Sequence, residues 1–136
     1  MKYIDMTSTP SSLTLFINQI TSLNAELVDM YPDDLDIRIC KNTIDTVKKL
    51  NPKIIVDAFY NHVYSYKQQI IAKDEAFFID MNYNALIKDD NMSIVSNLKK
   101  YWSSMSVETK ECMWQYFGVL IILCEKCKGI TPNDKK

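Results

Sequence analysis

Apolar residues recur at intervals of three and four along most of the chain, the spacing that places them on one face of an α-helix. The pattern predicts helices over residues 10–31, 33–50, 53–72 and 75–81, and two more near 94–102 and 107–128. The predicted inner stripes of the longer helices are, in chain order, Leu13, Phe16, Ile17, Ile20, Leu23, Leu27 and Met30; Leu35, Ile39, Thr43, Val47 and Leu50; Ile55, Phe59, Val63, Tyr66 and Ile70; Ile94, Leu98 and Tyr101 or Trp102; and Met113, Phe117, Leu120, Ile121 and Cys124.

Start and stop residues separate these segments. Residues that favour a helix start are Thr9-Pro10, Asp33-Asp34, Asp74 and Ser106. Residues that favour a helix end are Pro32, Asn51-Pro52 and Gly129. The polar stretch over residues 82–91 is the most loop-like part of the chain.

The scarcity of turn residues favours long elements. Only two glycines and four prolines occur in 136 residues, too few for many short strands. Short connections between consecutive helices favour antiparallel neighbours. The sequence therefore predicts an all-α fold, a compact bundle of five to six amphipathic helices. One domain is expected over residues 1–136, with flexible ends at 1–8 and 131–136.

Charge and hydropathy exclude several classes of partner. The 16 basic and 17 acidic residues are mixed along the chain and give a formal net charge of −1, so no nucleic-acid partner is expected.

The longest apolar run, Phe117 to Cys124, is far shorter than the roughly 20 residues that span a membrane. Asp5 precedes any apolar stretch, so no secretory signal is expected. We therefore expect an intracellular protein with reduced thiols.

Two cysteines have the spacing of metal or redox sites. Cys124 and Cys127 form a CxxC pair, which can bind zinc or cycle as a disulfide. The pair lies near a helix C-terminus, where the helix dipole disfavours thiolates, and no second ligand pair occurs in the sequence. Cys124 and Cys127 are thus the candidate metal ligands, while buried or partly exposed free thiols are the alternative. No cofactor is predicted.

No catalytic residue is predicted. His62 has no nucleophile near it in the sequence, and no phosphate-binding or hydrolase motif occurs. The segment 80–91 has the acidic and amide spacing of a calcium-binding loop, but it carries Ala85 where that loop needs glycine and Asn91 where it needs glutamate. We interpret it as a polar loop. No small-molecule substrate is evident.

Aromatic residues provide the best functional hint. Tyrosine, phenylalanine and tryptophan make up 11% of the chain. Tyr60, Tyr64 and Tyr83 fall outside the predicted inner stripes, and exposed tyrosine is enriched where proteins bind proteins. These three residues are the candidate partner-binding residues. The alternative is that a small bundle packs these rings between its helices.

Two blocks of sequence resemble a group of viral proteins. The first begins Asn51-Pro-Lys-Ile-Ile-Val-Asp-Ala-Phe59 and continues through Tyr64, Tyr66 and Ile70 to Lys73-Asp-Glu-Ala-Phe-Phe78; the second is Leu98-Lys-Lys-Tyr-Trp102 with Met113-Trp-Gln-Tyr-Phe117 and Leu120. Over roughly residues 35–127 the chain resembles short helical proteins of large nucleocytoplasmic DNA viruses. The resemblance implies a viral setting and favours a virion or host-interaction component. It implies no site residue.

These observations predict a non-enzymatic helical protein that binds a protein partner or associates with itself, and that serves as a minor virion or assembly component. One alternative is a metal-linked regulatory module that uses Cys124 and Cys127. A second is a host-directed inhibitor with a Bcl-2-like bundle, which requires a groove for an amphipathic helix.

Overall fold

The computed structural model describes residues 11–79 and 94–130. Its α-helices are α1 (Ser12–Met30), α2 (Leu35–Leu50), α3 (Lys53–His62), α4 (Lys67–Ile71), α5 (Ala76–Ile79), α6 (Ile94–Tyr101) and α7 (Val107–Lys128). Short 3₁₀ turns, Tyr64–Tyr66 and Trp102–Ser104, lie before α4 and after α6. These residue ranges contain no strand, and their helices pack against one another as a compact bundle. The predicted all-α fold is confirmed.

Side-chain caps define where three helices begin. Ser11, Asp34 and Ser106 each accept a hydrogen bond from the amide three residues further on, at 3.0 to 3.1 Å. Each cap satisfies an amide that the first turn of a helix leaves without an intrahelical partner. The cap at Ser106 is as predicted, and Asp34, predicted only as favourable charge at the start of α2, is the cap of that helix. The described part of α1 begins at Ser12 with Ser11 as its cap, and the predicted start at Thr9-Pro10 lies outside the described residues.

The helix α7 ends at Gly129, as predicted from the sequence. Gly129 has a φ of 71°, a left-handed conformation that glycine adopts without a Cβ clash. The amides of Gly129 and Ile130 donate to the carbonyls of Lys126 and Glu125, at 3.3 and 2.8 Å. This double hydrogen bond is a Schellman motif, and it terminates the helix.

The longest helix, α7, is the centre of the packing. It runs along α1 and also contacts α3 and α4. Leu13 near the start of α1 and Cys127 near the end of α7 border the same cleft, so the two helices are antiparallel. The buried residues of α7 are Met113, Trp114, Phe117, Leu120, Ile121, Cys124 and Glu125. The stripe predicted for this helix is therefore confirmed.

An aromatic cluster packs against Trp114 and Phe117 of α7. The ring of Phe78 in α5 stacks on Trp102, with centroids 4.2 Å apart. Trp114 and Phe117 of α7 lie 5.1 and 5.7 Å from the same phenylalanine ring. Because aromatic rings bury large apolar areas, this cluster anchors the short helix α5 to the bundle.

The predicted helix over residues 53–72 is interrupted. α3 ends at His62, a 3₁₀ turn follows, and α4 begins at Lys67. The interruption falls on β-branched and aromatic residues of modest helix propensity. Phe59 before the break and Ile70 after it are both buried. The apolar spacing therefore continues across the break, and the sequence periodicity did not reveal where the helix is interrupted.

The stripe predicted for α2 is wrong at Leu35, Ile39 and Leu50, although Val47 of that stripe does pack against the core. Leu35, Ile39 and Leu50 expose 67%, 46% and 79% of their surface, whereas the buried residues of α2 are Ile37, Cys40 and Ile44. This helix carries two apolar stripes, and the sequence spacing does not show which one the neighbouring helices cover. The fold buries the stripe that faces α1, α3 and α6.

Several predictions fall outside the described residues. These are the flexible ends at 1–8 and 131–136, the polar loop and calcium-like segment over 80–91, and the candidate residue Tyr83. Within the described helices, none combines the length and apolar content needed to cross a membrane.

A polar cluster joins α1, α2 and α6. The rings of Tyr31 and Tyr101 stack with centroids 3.8 Å apart, and the Tyr101 hydroxyl donates to the carboxylate of Asp34. Lys100 also contacts Asp34, at 2.9 Å. Burial alone would raise the pKa of Asp34, but the hydrogen bonds from Tyr101, Lys100 and the Ile37 amide lower it to about 2.

We expect acid to weaken the fold through Asp34. Because its folded pKa is about 2 and its ordinary value is 3.8, the ionised carboxylate stabilises the fold above about pH 4, and this stabilisation is lost as pH falls toward 2. Its size is about 1–2 kcal/mol, since Lys100 is itself partly exposed. Asp34→Asn preserves the helix cap. Urea unfolding should show this variant less stable than wild type at pH 6, with the gap closing near pH 2; a gap that is constant with pH would contradict the assignment.

A buried amide in α1 lowers stability. Asn24 is 1% exposed, its Nδ2 donates weakly to the Ile20 carbonyl at 3.4 Å, and its Oδ1 meets no donor. We expect Asn24→Leu, which replaces the amide by an apolar group of the same branched shape, to raise the free energy of unfolding by about 1 kcal/mol, because a buried acceptor without a partner is costly. Asn24→Ala should lower it, since it leaves a cavity. A loss of stability in the leucine variant would contradict this prediction.

Candidate functional site

Four of the predicted site residues lie together where α3 meets the end of α7. Tyr60 and Tyr64 project from the end of α3 and the turn after it, and Cys124 and Cys127 belong to the last two turns of α7. The tyrosine rings stack with centroids 5.3 Å apart. We call this region, together with the charged residues around it, the α3–α7 corner. Nothing in the sequence spacing links the tyrosines to the cysteines, so only the fold brings them together.

A buried glutamate holds the corner together. Glu125 is 7% exposed and accepts hydrogen bonds from the Tyr64 hydroxyl at 2.7 Å and from Lys67 Nζ at 2.5 Å. Burial and the bond to Glu125 raise the pKa of Tyr64 to about 12. A carboxylate in a protein interior requires such donors. Glu125 is not among the site residues predicted from the sequence, although its charge beside Ile121 and Cys124 on the inner stripe was an available signal.

A lysine covers the outer tyrosine. The Nζ of Lys128 lies 5.1 Å from the centroid of the Tyr60 ring, within the range of a cation–π contact. The same ammonium forms an ion pair with Asp57, one turn before Tyr60 on α3. The hydrogen bond that Lys128 donates to Asp57 raises the pKa of Lys128. Tyr60 itself remains 38% exposed, so its ring is accessible beside a paired cation.

A cleft of about 350 Å³ opens beside these residues. Leu13, Val56 and Cys127 provide apolar parts of its wall, and Lys53, Asp57 and Lys128 provide charged parts. Lys128 is paired with Asp57, whereas Lys53 forms no ion pair with the described residues. The cleft thus combines an apolar wall with an excess positive charge, which suits a group that is partly apolar and partly anionic.

The cysteines of the corner are free thiols. Cys124 is fully buried, and burial raises its pKa to about 12. Cys127 is partly buried and borders the cleft, and burial raises its pKa as well. Thiolates are the form that binds metal or attacks an electrophile, so these environments oppose both reactions. Within residues 11–79 and 94–130, no group of three or more histidine, cysteine or acidic side chains is placed to hold a metal ion.

Comparison with known proteins gives no match among protein-family models, curated proteins or solved structures.

The two thiols should react at different rates. Cys127 borders the cleft, whereas Cys124 becomes accessible only when the corner opens. We expect a maleimide at pH 8 to label Cys124 at least about a hundredfold more slowly than Cys127 in the folded protein. Peptide mass spectrometry of timed samples measures both rates. In urea the labelling rates of Cys124 and Cys127 should converge, and this control compares the intrinsic reactivity of the two thiols. Equal rates in the folded protein would contradict the burial of Cys124.

Proposed function

We propose that this protein is a non-enzymatic interaction protein that binds another protein through the α3–α7 corner. The observation that supports this proposal is the exposed ring of Tyr60, which is stacked on Tyr64 and lies beside a cleft with an apolar wall and the lysine Lys53. Tyrosine contributes strongly at protein interfaces because it provides a large rigid surface with a polar end.

The chemistry of the corner favours binding over catalysis. Its thiols and the Tyr64 hydroxyl have pKa values raised by burial, so they stay protonated at neutral pH. The carboxylate of Glu125 is already engaged by Tyr64 and Lys67. A nucleophile or general base needs the opposite arrangement, with an accessible group whose pKa lies near the working pH.

The partner that fits this corner presents an acidic group next to a large apolar side chain. The apolar group would pack against Leu13 and Val56, and the acidic group would pair with Lys53. We further propose a viral setting, in which the protein is a minor virion or assembly component. This part of the proposal rests on the sequence resemblance to helical proteins of large DNA viruses.

Selection from a displayed random peptide library tests the binding proposal. We expect peptides selected on the wild-type protein to be enriched in acidic residues beside large apolar ones. Tyr60→Ala should weaken their binding at least about tenfold, as expected for a central interface tyrosine. Calorimetry or fluorescence anisotropy with a synthetic peptide gives the affinity.

The matched control is Val107→Ala, which truncates an exposed apolar side chain at the opposite end of α7. It should leave peptide binding unchanged. Helicity and thermal unfolding establish that both variants are folded. If every selected peptide binds Tyr60→Ala as tightly as wild type, the corner is not the binding site.

A further inference from the structure

The outer face of α2 carries an apolar stripe that the fold leaves uncovered. Leu35, Ile39 and Leu50 are its exposed apolar residues, and the exposed polar residues Asn42 and Thr46 lie between them. Their spacing approximates the 3.5-residue repeat with which one helix packs along another. From Leu35 to Leu50 the stripe extends about 22 Å. We call these five residues the α2 seam.

The α2 seam matches a second copy of itself in the antiparallel direction. A two-fold axis between residues 42 and 43 places Leu35 of each copy opposite Leu50 of the other, and Ile39 opposite Thr46. The two Asn42 amides then lie close to the axis. A two-fold dimer needs this self-complementarity, because each residue contact occurs twice.

The charges beside the α2 seam fit the same pairing. Asp36 lies near the N-terminal end of α2 with its side chain 75% exposed, and Lys49 lies exposed near the C-terminal end. In the antiparallel register, Asp36 of one copy is level with Lys49 of the other. When the two α2 helices cross at the common angle of about +20°, the side of α2 that carries Asp36 in one copy approaches the side that carries Lys49 in the other copy. A parallel pairing would instead bring the like-charged ends of the two helices together.

We propose that the α2 seam joins two copies of this chain into an antiparallel two-fold dimer. The proposal goes beyond the binding function of the α3–α7 corner, because it concerns a different face and a different partner. One pair of helices of this length buries less area than a standard stable interface, so the dimer is weak and depends on concentration. The contact of Asp36 with Lys100, at 3.4 Å, leaves most of the carboxylate in solvent for the pairing.

Sedimentation equilibrium over a series of concentrations at low salt tests the proposal. Wild type should show a monomer–dimer equilibrium. Asp36→Lys and Lys49→Asp should each weaken dimerisation at least about tenfold, because each places like charges together at both ends of the pair. An equimolar mixture of the two variants should regain dimerisation, since opposite charges then meet at both ends. Ile39→Asp should abolish it by placing a carboxylate inside the seam.

Two controls separate this interface from other effects. Lys126→Asp reverses an exposed charge on α7, and Tyr60→Ala alters the α3–α7 corner; neither should change the dimerisation constant. Circular dichroism establishes that all variants are folded. A wild-type protein that stays monomeric at every concentration would overturn the proposal. A dimerisation constant that the charge substitutions leave unchanged would also overturn the proposal. The same holds if the mixture of the two charge variants fails to regain dimerisation.

Discussion

Burial of α7 is the constraint on which the rest of the structure depends. Its inner residues cover more than one side of the helix, so a single neighbouring helix cannot bury them all. α1 packs along one side, α3 and α4 pack along another, and Phe78 and Trp102 pack on Trp114 and Phe117. Each large apolar side chain that is fully buried stabilises the fold by roughly 1.5–3 kcal/mol. The short helix α4 is thus held largely by its contacts with α7, whereas α5 packs on α6 and on the 3₁₀ turn after it and reaches α7 through Phe78.

The α3–α7 corner is a consequence of the same constraint. Glu125 belongs to the inner side of α7 near its end, and a buried carboxylate is stable only with donors around it. Tyr64 and Lys67 supply those donors, and the break between α3 and α4 lies directly beside them. Tyr64 in turn supports the ring of Tyr60. The exposed tyrosine is therefore held in place in the free protein, which would lower the entropy cost of the binding that we propose.

The orientation of α2 is set at its N-terminal end. Asp34 caps the helix and also binds Tyr101 and Lys100 of α6, while Tyr101 stacks on Tyr31 at the end of α1. These contacts direct Ile37, Cys40 and Ile44 into the core. The stripe on the other face of α2 then points to solvent, and it forms the α2 seam through which we propose that two copies associate.

Local sequence was sufficient for most of the helix starts and ends. The acidic start of α2, the cap at Ser106, the stop at Gly129 and the stripes of α1 and α7 follow from interactions between residues that are close along the chain, so one sequence reveals them. The tertiary structure alone decided which of two apolar stripes α2 buries, where the helix over residues 53–72 breaks, and that Tyr60 and Tyr64 meet Cys124 and Cys127. These outcomes depend on contacts with other helices, such as the hydrogen bond from Tyr64 to Glu125, 61 residues further along the chain, and no local pattern specifies such contacts.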